Sequence, residues 1–168
     1  MYVVGGRGLS RRGVKPFDGG GPIERMLHEA VDEPETLSPQ QLRDAYDAEL
    51  RAVIDAQGIE RVATAADLPT ETVAALAGGE SPSVTLSEAA AILAVDSEGR
   101  DANAIVQEVR DYLLMGMTTG VLDVDTIASN VDLDLSGQEI QQAIEGRIRL
   151  TLDELASIHG YVAERSSP

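Results

Sequence analysis

Side chains that can read DNA bases occur together in the C-terminal part of the chain. They are Gln138, Gln141, Gln142, Arg147 and Arg149. A glutamine amide can bond an adenine edge with two hydrogen bonds, and an arginine can hold guanine or a phosphate. The stretch 136–151 is neutral overall, because two glutamates offset the two arginines. These five residues are therefore candidates for contact with a nucleic acid.

Catalytic and metal-binding chemistry finds little support in the sequence. The chain has no cysteine and only two histidines, His28 and His159. No second histidine follows His28 four residues later, as the zinc-binding helix of a metalloprotease requires. We interpret His159 as a residue of the surface or of the edge of the core. We therefore expect no enzymatic activity, no metal ion and no cofactor.

The chain of 168 residues is strongly acidic. It contains 29 Asp and Glu against 13 Lys and Arg, which gives a formal net charge of −16, and its one lysine is Lys15. In molar salt the screening length falls to about 3 Å, so crowded carboxylates repel one another little and keep the surface hydrated. The composition predicts a halophilic protein from a salt-accumulating archaeon. The alternatives are an acidic protein of an ordinary cytoplasm and an acidic partner of a basic protein.

The hydropathy of the chain indicates no contact with a membrane. No apolar run approaches the roughly 20 residues that a membrane-spanning helix needs. The beginning of the chain also lacks the pattern of a secretory leader. We therefore expect a soluble protein of the cytoplasm.

The first 25 residues differ in composition from the rest. They are rich in glycine and hold five basic and two acidic residues. Such a segment gains too little from burial to offset the entropy that ordering costs. We predict a disordered arm and linker over residues 1–37. The arm either contacts a nucleic-acid backbone or precedes a true start of the protein at Met26.

The rest of the chain has helical periodicity and signals for helix starts. Ser38, Thr85, Ser136 and Thr151 each precede a Glu or Gln by three residues, which is the pattern of a capping box. Thr70 is a further predicted cap. Aromatic residues make up only 3% of the chain, so the core must be built from Ala, Val, Leu and Ile. The sequence predicts an all-α fold.

The two halves of this helical region repeat each other. Five landmarks recur in the same order at separations of 65 to 68 residues: Tyr46 with Tyr112, Ala63 with Ala128, Thr70 with Ser136, Gly78 with Gly146, and Thr85 with Thr151. Ordered landmarks at a steady offset indicate an internal duplication. We predict one helical repeat over residues 38–95 and a second over residues 102–164, packed as one body about a pseudo-twofold axis.

Each repeat contains the spacing of a known DNA-binding motif. The first copy has apolar or small residues at fixed steps: Ala63, Leu68, Val73, Leu76 and Gly78. This pattern resembles the lambda-repressor-like helix-turn-helix over residues 59–95, and a looser copy covers residues 124–162. The resemblance implies two crossing helices, of which the second enters the major groove. The chain as a whole also resembles an uncharacterised group of haloarchaeal proteins, which implies no activity.

The two copies depart from the motif in different ways. Asp67 and Asp132 stand where the family has a glycine in the turn, and Asp tolerates the left-handed conformation. The second helix of the first copy, over residues 70–77, offers no Arg, Lys, Asn or Gln to read bases. The second copy carries the glutamines, but its turn is longer by two residues.

The leading functional prediction is a small cytoplasmic protein that binds double-stranded DNA or takes part in transcription. In that role the three glutamines would contact bases and the two arginines would hold phosphate. The alternative is an acidic helical module that binds another protein and no DNA. Action as a homodimer stays open at this point.

Overall fold

The computed structural model describes residues 33–96 and 101–166. The predictions for the arm over residues 1–25, for His28 and for a start at Met26 lie outside these described residues. The predicted linker is described only over residues 33–37. There Pro34–Thr36 form a short 3-10 helix that packs on the last helix of the chain, and Pro34 is buried. This end of the predicted disordered segment is therefore ordered.

The described residues fold into α-helices, which confirms the predicted all-α class. In chain order the helices are α1 (Pro39–Gln57), α2 (Ile59–Ala66), α3 (Thr70–Ala77), α4 (Leu86–Ala94), α5 (Ala102–Thr119), α6 (Val124–Asn130), α7 (Gly137–Ile144) and α8 (Leu152–Ser166). No helix in the described part of the chain is long and apolar enough to cross a membrane.

Local sequence sets where most of the helices begin. All four predicted capping boxes form, at Ser38, Thr85, Ser136 and Thr151. In each box the Ser or Thr side chain accepts the backbone N–H of the residue three positions later, and the Glu or Gln side chain of that residue accepts the backbone N–H of the Ser or Thr. The prediction for Thr70 is wrong. The cap of α3 is Pro69, without a side-chain hydrogen bond, and Thr70 is already helical.

The first helix pair has the compact turn that the motif requires. Asp67 adopts the left-handed conformation, with φ 57° and ψ 51°, and ends α2. The Leu68 N–H then bonds the Ala63 carbonyl oxygen at 2.9 Å, which brings α3 back across α2. Ala63 is buried at this crossing, because a small side chain allows the two helices to approach closely.

The second helix pair is built differently. Its connection runs over residues 131–136, and Asp132 does not adopt the left-handed conformation that Asp67 adopts in the first pair. Ala128 is only half-buried. The close approach occurs instead at Gly137, where a Cβ would clash with the carboxylate of Asp125. The longer turn in the second copy thus moves the helix crossing away from the predicted alanine.

Helices of one half pack against helices of the other half in the centre of the molecule. Helix α1 packs against α8, and α4 packs against α5. An isolated antiparallel bridge joins Thr85 to Thr151, the residues that cap α4 and α8. The Leu86 N–H bonds the Leu150 carbonyl oxygen at 2.7 Å, and the Leu152 N–H bonds that of Val84 at 2.8 Å. A pseudo-twofold relation between the two halves requires contacts of this kind. The relation itself stays a prediction.

The buried faces of α1 and α5 indicate which residues of the two helices correspond, and this differs from one of the predicted landmark pairs. The caps of these helices, Ser38 and Asp101, are 63 residues apart. The same separation relates three pairs of buried residues: Leu42 with Ile105, Tyr46 with Val109, and Leu50 with Leu113. The prediction that Tyr46 corresponds to Tyr112 is therefore wrong, because Tyr112 lies on another side of α5 and is only half-buried.

Two methionines near the C-terminal end of α5 stand among apolar residues in the sequence, which predicts core packing for both. Met117 is buried among apolar residues. Met115 is 68% exposed, so this prediction is wrong for Met115. Met115 lies two residues before Met117, which on an α-helix is a different face.

We predict that Gly116→Ala destabilises the protein, although alanine is normally the better helix former. A Cβ at Gly116 would lie 2.5 Å from Val162 Cγ1, so either the Val162 side chain would have to leave its rotamer or α5 and α8 would have to separate. Overpacking of this kind costs about 1–3 kcal/mol. Urea unfolding monitored by circular dichroism measures the change.

Thr118→Ala, on the exposed face of the same helix, is the control and should change the free energy of unfolding by less than about 0.5 kcal/mol. A gain of stability in Gly116→Ala would contradict the close packing of α5 on α8.

Candidate nucleic-acid interface

Helix α7 presents two of the predicted glutamines to solvent. Ile140, Ala143 and Ile144 are buried and fix the inner face of the helix. On the opposite side Gln138 and Gln141 are exposed. They are three residues apart, so they lie on one face of the helix, one turn from each other.

Gln142 is the third predicted glutamine and differs from the other two. It is only half-buried, at the border between the exposed and the packed face of α7. Its backbone carbonyl accepts the Arg147 N–H at 2.8 Å, so it takes part in the turn that ends the helix. Its side chain is less accessible to a bound partner than that of Gln138 or Gln141.

The two arginines follow α7 in the connection to α8. Gly146 adopts a φ of +83°, a conformation that suits glycine, and reverses the chain after the helix. Arg147 and Arg149 are both exposed beyond this turn. The structure thus places four of the five predicted residues on accessible surface at α7 and its C-terminal turn.

A glutamate lies within this group and holds two of its members. The Gln141 side-chain amide donates to Glu145 Oε2 at 3.1 Å, and Arg147 Nε lies 3.4 Å from Glu145 Oε1. The Arg147 side chain remains 71% exposed, so this ion pair is a weak surface contact. A phosphate that approaches Arg147 would have to replace Glu145 and would be repelled by it.

The corresponding helix of the first copy offers much less polar chemistry. The exposed residues of α3 include Thr70, Glu71 and Ala74, and the helix carries no basic residue. Of these two corresponding helices, only α7 therefore carries candidate base contacts, as the sequence suggests.

Arginines from the long helices anchor the ends of α3 and α7, a feature that the sequence analysis missed. Arg51 Nε donates to the Leu76 carbonyl oxygen at 3.0 Å, at the end of α3. Arg110 Nε donates to the Ile144 carbonyl oxygen at the end of α7. Cations at a helix C-terminus are favourable because its last carbonyls have no partner in the helix. Each anchor fixes the exposed helix on the body of the protein.

A buried charge cluster joins the start of α1 to α8. Arg43 is 1% exposed, and Arg43 Nε bonds Asp47 Oδ1 at 2.9 Å. Its other nitrogens bond the Pro82 carbonyl oxygen at 2.5 Å and Asp153 Oδ1 at 3.1 Å. Ser81 also donates to Asp47. A buried charge is tolerated when partners satisfy it in this way. The Asp153 side chain is 69% exposed, so the cluster reaches the surface at α8.

His159 belongs to the core, and its prediction as a residue of the surface or core edge is wrong. It is 1% exposed, and a hydrogen bond joins its Nδ1 to Tyr46 Oη. Its ring stacks on that of Tyr46 with centroids 5.9 Å apart and meets Tyr112 edge-on at 5.3 Å. The cluster holds α1, α5 and α8 together. Nowhere in the described chain do His, Asp and Glu side chains gather as a metal ion would require.

Comparison with known proteins assigns the chain to a family. The sequence profile of a family of unknown function (DUF5791) matches residues 42–165. The chain belongs to this family. The matched range begins in α1 and ends in α8, so the family unit comprises both halves. No curated protein matches the chain. No solved structure matches it either.

We predict that the aromatic cluster makes the protein sensitive to alkaline pH. Burial raises the pKa of Tyr46 well above its usual value, and Tyr112 adds to the effect. Burial and the charge of Glu35 also raise the pKa of Tyr112. Because the folded state holds these protons more tightly than the unfolded state, stability is full below about pH 10 and falls as the pH rises further.

Urea unfolding of the protein and of Tyr46→Phe between pH 8 and pH 11.5 tests this. The variant should be less stable at pH 8, because it loses the hydrogen bond to His159, and should lose less stability above pH 10. An equal alkaline loss in both proteins would contradict the account.

Proposed function

We propose that this protein binds double-stranded DNA through α7 and the turn that follows it, as a small transcription-associated protein of a salt-rich cytoplasm. The observation that carries the proposal is the exposed row of Gln138 and Gln141, continued by Arg147 and Arg149. Amides on one helix face and guanidiniums beyond its end correspond to base contacts and phosphate contacts. In this proposal the protein acts by binding and not by catalysis.

The geometry of α7 supports contact with bases in the major groove. The helix has eight residues and an exposed face without bulky apolar side chains, and Arg110 anchors its end. Gln138 and Gln141 can each form a bidentate pair with adenine, which is worth about 1–3 kcal/mol of discrimination. Gln142 lies at the edge of this face and would contribute through a marginal contact.

The charge of the protein determines how such binding must depend on salt. With a formal net charge of −16, the surface as a whole repels DNA at low ionic strength. Molar salt screens this repulsion, but it also weakens the attraction between arginine and phosphate. Binding must then rest on base contacts, so affinity should fall only gently as salt increases.

A double substitution tests the proposed interface. We expect Gln141→Ala with Arg147→Ala to lower affinity for a selected DNA site about 100-fold, because it removes one base contact and one phosphate contact. The site is selected from a random duplex library in potassium chloride above about 1 M. Fluorescence anisotropy then measures affinity for both proteins.

Gln40→Ala with Arg61→Ala is a matched control for this experiment. Gln40 is exposed and donates to Asp44 at 3.0 Å, as Gln141 does to Glu145, and Arg61 is exposed on α2. The control should retain affinity within about twofold, since exposed substitutions away from an interface are close to neutral. Equal losses in both variants, or no selected site at all, would overturn the proposal.

Protein binding is the second candidate function, and exposed apolar side chains near the end of α5 favour it. Leu114 and Met115 are exposed, and Val121 is 90% exposed. Val121 has a φ of 53°, which is unfavourable for a β-branched residue, whereas Gly58 takes the matching position after α1. The fold therefore does not require an apolar residue there.

Capture of partners from a nuclease-treated lysate tests this second function. A stoichiometric partner that the protein retains, and that Met115→Glu loses, would favour protein binding over DNA binding.

A further inference from the structure

A cleft of about 410 Å³ lies between the two halves of the protein. Its walls are the first turn of α4, one face of α5, and the chain between α7 and α8. A volume of this order is in the range of clefts that bind small molecules. The cleft is distinct from the exposed face of α7 that carries Gln138 and Gln141, since neither residue lines it.

Two arginines line the cleft, which is unusual in so acidic a protein. They are Arg110 and Arg149, and the one acidic residue of the lining is Glu88. Glu88 is engaged, because its Oε1 accepts the Thr85 N–H at 2.9 Å. Neither arginine forms an ion pair with a carboxylate among residues 33–96 and 101–166. The lining therefore has a net positive charge in a chain whose formal charge is −16.

The fold holds one of these arginines in a fixed position. Arg110 Nε donates to the Ile144 carbonyl oxygen, and Arg110 Nη1 donates to Gln107 Oε1 at 3.3 Å. The guanidinium lies against Gly146, where a Cβ would be only 3.0 Å from Arg110 Nη1. These contacts leave N–H groups of Arg110 for another acceptor, since a guanidinium carries five.

The remaining lining combines an amide with apolar side chains. Asn103 and Val106 precede Arg110 on the same face of α5. On the opposite wall Ile148 is 38% exposed, next to Arg149 in the chain. An apolar side chain left partly exposed beside two arginines is suited to a ligand with both an anionic and an apolar part.

We propose that this cleft binds a small organic acid, with its carboxylate held by Arg110 and Arg149 and its apolar body against Val106 and Ile148. A planar carboxylate matches the fork of a guanidinium. The apolar side chains beside the arginines favour a carboxylate with an apolar body over inorganic phosphate, which has no apolar part. This site goes beyond the proposed DNA binding and does not depend on it. A bound acid would engage Arg149 and so withdraw that arginine from phosphate.

Titrations followed by two-dimensional ¹H–¹⁵N spectra of the full chain, without DNA, test the proposal. Three probes are compared. Hexanoate carries both the anionic and the apolar part of the proposed ligand, acetate carries the anionic part alone, and 1-hexanol carries the apolar part alone. Hexanoate should give saturable shifts at the amides of α5 and of residues 143–150. Acetate and 1-hexanol should each bind at least about tenfold more weakly, since each lacks one set of contacts.

Two variants assign the parts of the ligand to residues. Arg149→Ala should weaken hexanoate binding about tenfold or more, and Arg61→Ala, on the exposed surface of α2, should leave it unchanged. Ile148→Ser should weaken hexanoate and leave acetate unaffected. The proposal is overturned if hexanoate gives no saturable shift, if the shifts lie away from the cleft, if acetate binds as tightly as hexanoate, or if Arg149→Ala binds as the unmodified protein does.

Discussion

The pairing of the two chain segments that begin α4 and α8 is the constraint on which the rest of the structure depends. Thr85 and Thr151 each cap a helix and also face each other in a backbone bridge, so α4 and α8 start side by side. With these starts fixed, α1 packs against α8 and α4 packs against α5. Each half thereby covers apolar surface of the other, and burial of that surface is the main force that stabilises the fold.

The same bridge positions the residues that we connect with function. Leu150 accepts a bridge hydrogen bond and directly follows Arg149, so the bridge fixes one end of the segment that carries Arg147 and Arg149. Arg110 fixes the other end through the Ile144 carbonyl oxygen. The exposed face of α7 and the cleft between the halves are therefore two sides of one rigidly attached segment, which is why a ligand in the cleft and DNA on the outside could share Arg149.

Features set by local sequence could be predicted, and features set by distant partners could not. The capping boxes follow from residues three apart, and the exposure of Gln138 and Gln141 follows from the apolar positions around them. The burial of Arg43 and His159 depends on Pro82, Asp153 and Tyr46, which only the tertiary fold brings near. The match of Tyr46 with Tyr112 failed because the halves differ in the lengths of their connections, so no single offset relates all helices. DNA binding and a halophilic origin stay predictions.

The central claim is that neither half is complete without the other, and a fragment of residues 38–95 tests it most directly. In this fragment α1 would lose α8, and α4 would lose α5. Urea unfolding by circular dichroism, in the same high salt for both proteins, compares the fragment with the full chain. We predict one cooperative transition for the full chain and no cooperative transition for the fragment. A fragment that unfolds cooperatively, with dispersed amide resonances, would contradict the account.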